Sequence, residues 1–153
     1  MILGCGVDLM EVARFEQEVR RRGDGLIAEL FSAGEVAWCR RRRRAAEGYA
    51  MAYAAKEALF KALGTGKVGR MAWSDVEVAW SAPGGRPTMT LAGETAAEAE
   101  RTGVTAVHLA LANCRGYGVA WVVVAGVIDE SRIPDPESRQ QEEAVRCHST
   151  TSS

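Results

Sequence analysis

Two carboxylates and an ammonium stand out in this 153-residue chain because their neighbours are apolar. Asp8 is the only charged residue in the glycine-containing run 2–9, ILGCGVDL. Glu57 and Lys61 lie within the alanine-rich stretch 49–66, YAMAYAAKEALFKALGTG. A carboxylate in apolar company is costly unless something neutralises it. A hard divalent cation such as magnesium, completed by water and phosphate oxygens, would serve as partner to both Asp8 and Glu57. Lys61 falls one helical turn beyond Glu57 and could meet the same phosphate as a point charge. Backbone N–H groups of Gly64, Thr65 and Gly66 offer further donors to an anion. The chemistry that fits such a set is handling of a phosphorylated ligand with a metal. Glu and Lys at this spacing are most often a solvated ion pair, so spacing alone favours that reading over a site.

The elements that must carry these residues can be read from period and punctuation. Residues 2–9 read as a short strand whose glycines, Gly4 and Gly6, mark a close backbone approach. Residues 11–22 carry Val12, Phe15 and Val19 at helical spacing and stop at Gly23. Ser32 and Glu35 have capping-box spacing, which starts a second helix near Ala33. The central helix follows, with Gly64 placed for a left-handed C-terminal cap. Residues 71–80 alternate apolar and polar as a half-buried strand, and a Pro/Gly turn at 82–87 returns as a strand at 88–91. Residues 93–101 are Ala/Glu-rich and helical, and strands at 105–112 and 117–127 form a second hairpin. The order is β-α-α-α-β-β-α-β-β, an α+β domain over residues 1–128 with helices packed on a mainly antiparallel sheet. Residues 129–153 are polar and almost devoid of apolar side chains, so a disordered tail is expected.

Composition narrows the partners. A hydrophobic fraction of 47% and a charged fraction of 25% belong to an ordinary soluble domain. A net charge of −1 argues against a nucleic-acid or membrane-surface protein by bulk electrostatics. The arginine run 40–44 reads either as a solvated face or as a local field for an acidic partner. Cys5, Cys39, Cys114 and Cys147 have neither zinc spacing nor a paired framework, so reduced thiols and a cytoplasmic location are expected. The apolar run 119–127 is too short to span a bilayer.

Four segments together resemble the holo-acyl-carrier-protein synthases, small 4′-phosphopantetheinyl transferases: GVDLMEVARF, AAKEALFKALGTG, GGRPTMTLAGE and VHLALANCRGYGVAWVVV. The resemblance covers roughly residues 1–127, in order and spacing, and omits the tail. It implies transfer of 4′-phosphopantetheine from coenzyme A to a serine of an apo acyl carrier protein, releasing adenosine 3′,5′-bisphosphate, in fatty-acid or polyketide synthesis. Under it, Asp8 and Glu57 would hold magnesium and Lys61 would stabilise the transferred phosphoryl group. Glu57, or a water ordered near the metal, would take the serine proton. Gly64, Thr65, Gly66 and His108 would belong to the coenzyme A site. Arg14, extended by Arg20, Arg21 and Arg22, would face the acidic carrier protein, and the assembly would be a homotrimer. The apolar Trp73, Trp80, Trp121 and the run 122–124 fit either such an interface or ordinary core.

The chain also departs from the family pattern. Ala52 stands where many members have an arginine expected to serve the coenzyme A phosphates. The run Ala110, Leu111, Ala112, Asn113 replaces a hydroxyl- and histidine-containing segment. Lys67 and Arg70 are candidates to compensate. These departures motivate an alternative, a non-catalytic protein of the same fold that binds carrier protein or coenzyme A. A third reading, RNA association through the arginine run, lacks interleaved aromatics and a net basic domain.

Overall fold

The computed structural model describes residues 1–80 and 85–127. In chain order the elements are β1 (Ile2–Glu11), α1 (Val12–Arg22), α2 (Asp24–Leu30), α3 (Ala33–Arg40) and α4 (Ala45–Ala62). A 3-10 turn (Trp73–Asp75) then leads into β2 (Val76–Trp80), β3 (Pro87–Leu91), α5 (Gly93–Arg101), β4 (Val104–Cys114) and β5 (Tyr117–Gly126). The α+β class and the order of strands agree with the sequence reading. The expected tail at 129–153 and part of the first hairpin turn lie outside the described residues.

Two antiparallel sheets form, one ordered β1-β5-β4 and the other β2-β3. In the first, Asp8 sits opposite Ala120 and Val7 opposite Trp121. The β4–β5 hairpin closes on Arg115 and Gly116, both with positive φ (47° and 85°), the pairing that a two-residue twisted turn demands. The inner face of this sheet, built from Val122, Val124 and Ala120, packs on Ala54, Ala58 and Leu59 of α4. The opposite face of α4 contributes Tyr49, Ala50 and Ala52 to a second cluster with Phe15, Leu26 and Phe31. The central helix is therefore buried on both sides between a sheet and a helical layer, which is why it reads apolar nearly all round.

Two boundaries differ from expectation for local reasons. A separate seven-residue helix, α2, follows Gly23, whose φ of 69° lets the chain reverse at once. The expected strand at 71–80 begins only at Val76. The carboxylate of Asp75 accepts from the Ala72 amide at 3.0 Å and holds 73–75 as a turn. The capping box at Ser32 and Glu35 is present as read, with both reciprocal hydrogen bonds made.

Candidate active site

Strand β1 crosses α4 so closely that a side chain would not fit between them. A Cβ built on Gly6 would lie 2.0 Å from the Ala58 carbonyl oxygen, and one on Gly4 2.1 Å from that of Ala62. Glycine on the strand and alanine on the helix set this approach. It brings the next inward position of β1, Asp8, onto the last turns of α4. There the Lys61 ammonium donates to Asp8 Oδ1 at 2.7 Å and to the Val7 carbonyl at 3.2 Å.

One turn back along the same helix, the Tyr53 hydroxyl donates to Glu57 Oε1 at 2.9 Å. Burial, and then the hydrogen bond to Glu57, push the Tyr53 hydroxyl well above the usual tyrosine range, so it remains a neutral donor. Tyr53, Glu57 and Lys61 thus form one stripe at four-residue spacing. Sequence reasoning took up only the last two, although the same spacing would have revealed Tyr53. Asp8, Glu57 and Tyr53 line a cavity of about 490 Å³, with Arg14 on one side and Phe15, Leu30 and Trp73 among its apolar walls. Across its rim Arg22 pairs with Glu29 at 2.7 Å and ties α1 to α2.

The structure thus joins Asp8, Glu57, Lys61 and Arg14 in one place. It treats the other expected residues differently. Gly64 has the left-handed φ (77°) anticipated for a helix cap. Its amide, however, donates to the Lys61 carbonyl, and that of Gly66 to the Phe60 carbonyl. Those two N–H groups close the helix end and are not turned outward to an anion. The Thr65 hydroxyl donates to the Gly66 carbonyl. His108 lies opposite Val123 on the exposed face of the large sheet, the reverse of the face that carries Asp8. Within one chain it is not part of the Asp8–Glu57 site.

Ala52, at the family's arginine position, is fully buried in the second core. Asn113 is exposed and approaches Glu47 at 3.5 Å. Lys67 lies over the Trp73 ring at 5.9 Å.

Lys56, the neighbour of Glu57, points the opposite way. Its side chain and that of Glu35 are both 0% exposed and pair at 2.8 Å. Burial pushes the Lys56 ammonium below the usual lysine range, and the Glu35 carboxylate opposes that shift. The same carboxylate and the same burial raise the nearby Cys39 thiol to about 12, burial being the larger cause. Cys39 is therefore an inert core thiol. No sequence signal linked Glu35 to Lys56, which are 21 positions apart.

Four carboxylates, Asp8, Glu18, Glu29 and Glu57, and two arginines, Arg14 and Arg22, line the cavity, and the Lys61 ammonium adjoins it through Asp8. Asp8 and Glu57 beside Lys61 and Arg14 suit the binding and transfer of a phosphoryl group. The profile of the 4′-phosphopantetheinyl transferase superfamily matches residues 4–122. The holo-[acyl-carrier-protein] synthase of Desulforudis audaxviator is 45% identical over 132 residues, covering 86% of this chain and 99% of that protein. The crystal structure of the Neisseria meningitidis synthase superposes with a TM-score of 0.74 at 25% identity, over 82% of this chain and 99% of that one. That of the Helicobacter pylori synthase in complex with coenzyme A gives 0.68 at 25% identity, over 79% and 99%. With this match spanning most of its length and its acidic pair and lysine gathered at one site, the chain belongs to the 4′-phosphopantetheinyl transferase superfamily, among the holo-[acyl-carrier-protein] synthases.

Proposed function

We propose that this chain transfers 4′-phosphopantetheine from coenzyme A to a serine of an apo acyl carrier protein, releasing adenosine 3′,5′-bisphosphate, in cytoplasmic fatty-acid or polyketide synthesis. The observation that carries the reading is the meeting of Asp8, Glu57 and Arg14 at one cavity, with Lys61 bonded to Asp8. Serine Oγ forms a bond to the phosphorus that bears pantetheine, and the bond from that phosphorus to the bisphosphate oxygen breaks. Glu57, held by the Tyr53 hydroxyl, or a water ordered near the metal, would receive the serine proton. Lys61 neutralises charge on the transferred phosphoryl oxygens, exchanging its contact with Asp8 for one with substrate.

Asp8 and Glu57 are the residues that would hold magnesium. Among the described residues no group of three or more His, Cys, Asp or Glu gathers as a closed metal cage. A pair of carboxylates with the remaining positions left to water and substrate phosphates is the donor set magnesium takes. When bound, the ion supplies charge neutralisation and polarisation of the pyrophosphate. Release of adenosine 3′,5′-bisphosphate from coenzyme A, dependent on both magnesium and apo carrier protein, tests the reaction. Release without carrier protein would replace transfer by hydrolysis.

Arg14 lines the cavity and α1 continues into Arg20, Arg21 and Arg22, a basic surface suited to an acidic carrier protein. A homotrimer is supported by the outer face of the large sheet. Val7, Leu9 and Trp121 are each more than half exposed there, a contiguous apolar area that a lone small domain rarely presents. His108 shares that face and would reach a neighbour's site only through assembly. Trp121→Glu is expected to yield a monomer in analytical ultracentrifugation, with transfer reduced. A variant sedimenting as the wild type does would remove this face from the interface.

A further inference from the structure

Glu57 and Lys56 are adjacent in α4, yet one faces the cavity and the other the core. The Lys56 ammonium spends its three donors on the Leu30 carbonyl at 2.7 Å, Glu35 Oε2 at 2.8 Å and the Trp73 carbonyl at 3.0 Å. Leu30 ends α2 and Trp73 opens the 3-10 turn, and both line the cavity that holds Asp8, Arg14 and Glu57. The ammonium therefore grips two walls of the cavity by their backbone, from the residue next to Glu57. Glu35 is itself fixed, accepting from the Ser32 amide at 2.8 Å and from the Val78 amide at 3.0 Å. Five segments, α2, α3, α4, the 3-10 turn and β2, converge on this one pair.

Stability does not require such a device. A buried ion pair can be replaced by well-packed apolar side chains at little cost, and often with gain. What an apolar pair cannot do is hold two carbonyls at fixed distances from the helix that carries Glu57. We propose that Lys56 and Glu35 are positioning residues for the transfer, setting the wall of Leu30 and Trp73 at the distance from Glu57 that the carrier-protein serine requires. The inference rests on the phosphopantetheinyl transfer reading. It is specific in direction: Leu30 lies on the side of the cavity bounded by α1 and α2, the side proposed above for the carrier protein, so the effect falls first on the carrier-protein kinetics.

The test uses the 153-residue chain with two variants. Lys56→Met/Glu35→Gln removes both charges together and leaves an acceptor at the cap. Glu35→Asp keeps the charges and shortens the reach by one methylene. For the folded double variant, kcat/KM for apo carrier protein is expected to fall about tenfold or more, because misplacement on the ångström scale costs rate steeply. Coenzyme A affinity by calorimetry is expected to change less than kcat/KM for the carrier protein, since neither substituted side chain lines the cavity. Glu35→Asp falls between the two. Hydrogen exchange should quicken at 26–31 and 73–76 while Glu57→Gln leaves those segments unchanged. Wild-type transfer in either folded variant overturns the assignment, as does a parallel loss of coenzyme A affinity. Absence of transfer by the wild type would instead overturn the reaction, while the exchange data still report whether the pair holds the wall.

Discussion

Glu57→Gln is expected to lower transfer to apo carrier protein by about 100- to 1,000-fold, the scale seen when one preorganised electrostatic group is lost from an active site. The substitution conserves shape. Tyr53 can still donate to the amide oxygen that replaces Oε1, so the helix and the cavity wall stay in place. On the proposed roles, half of the carboxylate pair for magnesium is lost, and with it the proposed acceptor for the serine proton. Both losses act on charge that develops in the transition state, so the effect belongs in kcat more than in the KM of coenzyme A. Single-turnover rates, with a thermal melt to show an unchanged fold, decide it. Wild-type rates in the variant would remove Glu57 from the chemistry.

Gly6→Ala is expected to destabilise the domain by about 3 kcal/mol or more, at the upper end of overpacking costs because backbone blocks the methyl group. In an extended strand, alanine ordinarily gains over glycine by stiffening the unfolded chain, about 0.4–1 kcal/mol. The clash decides the sign here. The added Cβ would stand 2.0 Å from the Ala58 oxygen and 2.8 Å from the Ala62 nitrogen, and neither can retreat without opening α4. A fall in Tm of roughly 10 °C follows for a domain of this size. The strand would also lift Asp8 away from Lys61, so transfer falls in the protein that remains folded. Gly25→Ala is the control, since a Cβ there meets nothing within 4 Å and its backbone is helical. It should match or exceed the wild-type Tm. Equal melting temperatures for Gly6→Ala and wild type would mean that strand and helix are not in the close contact described.

The central features were legible because they are local. Four-residue spacing placed Glu57 and Lys61 on one face, and Gly64 followed the last periodic residues of α4. The capping box at Ser32 and Glu35 carried its own signature. Asp8 was legible as an anomaly, a lone charge in an apolar strand. What escaped reading is mostly non-local. The Lys56–Glu35 pair spans 21 positions, and nothing in either neighbourhood announces the other. His108, which the resemblance assigns to the coenzyme A site, is put by strand pairing opposite Val123 on the outer face, where only a neighbouring chain's site could use it. Helix α2 has only seven residues, too few for a period to emerge beside the turn at Gly23. Trp73 shares the parity of polar Asp75 and Glu77 and not that of apolar Val76, Val78 and Trp80, so the alternation itself starts only near Asp75. Two hydrogen bonds make that segment a turn: the Ala72 amide donates to the Asp75 carboxylate and the Asp75 amide donates to the Ala72 carbonyl. The role of Gly64 and Gly66 in closing the helix, and not in presenting amides outward, likewise depends on hydrogen bonds that composition does not encode.

Intact-mass spectrometry of an apo acyl carrier protein, incubated with this protein, coenzyme A and magnesium beside an EDTA control, tests the central claim most directly. The account predicts a gain of roughly 340 Da, one phosphopantetheine moved by phosphoryl transfer, that disappears with EDTA. An unmodified carrier protein that nevertheless binds the chain, or a gain indifferent to EDTA, would contradict it.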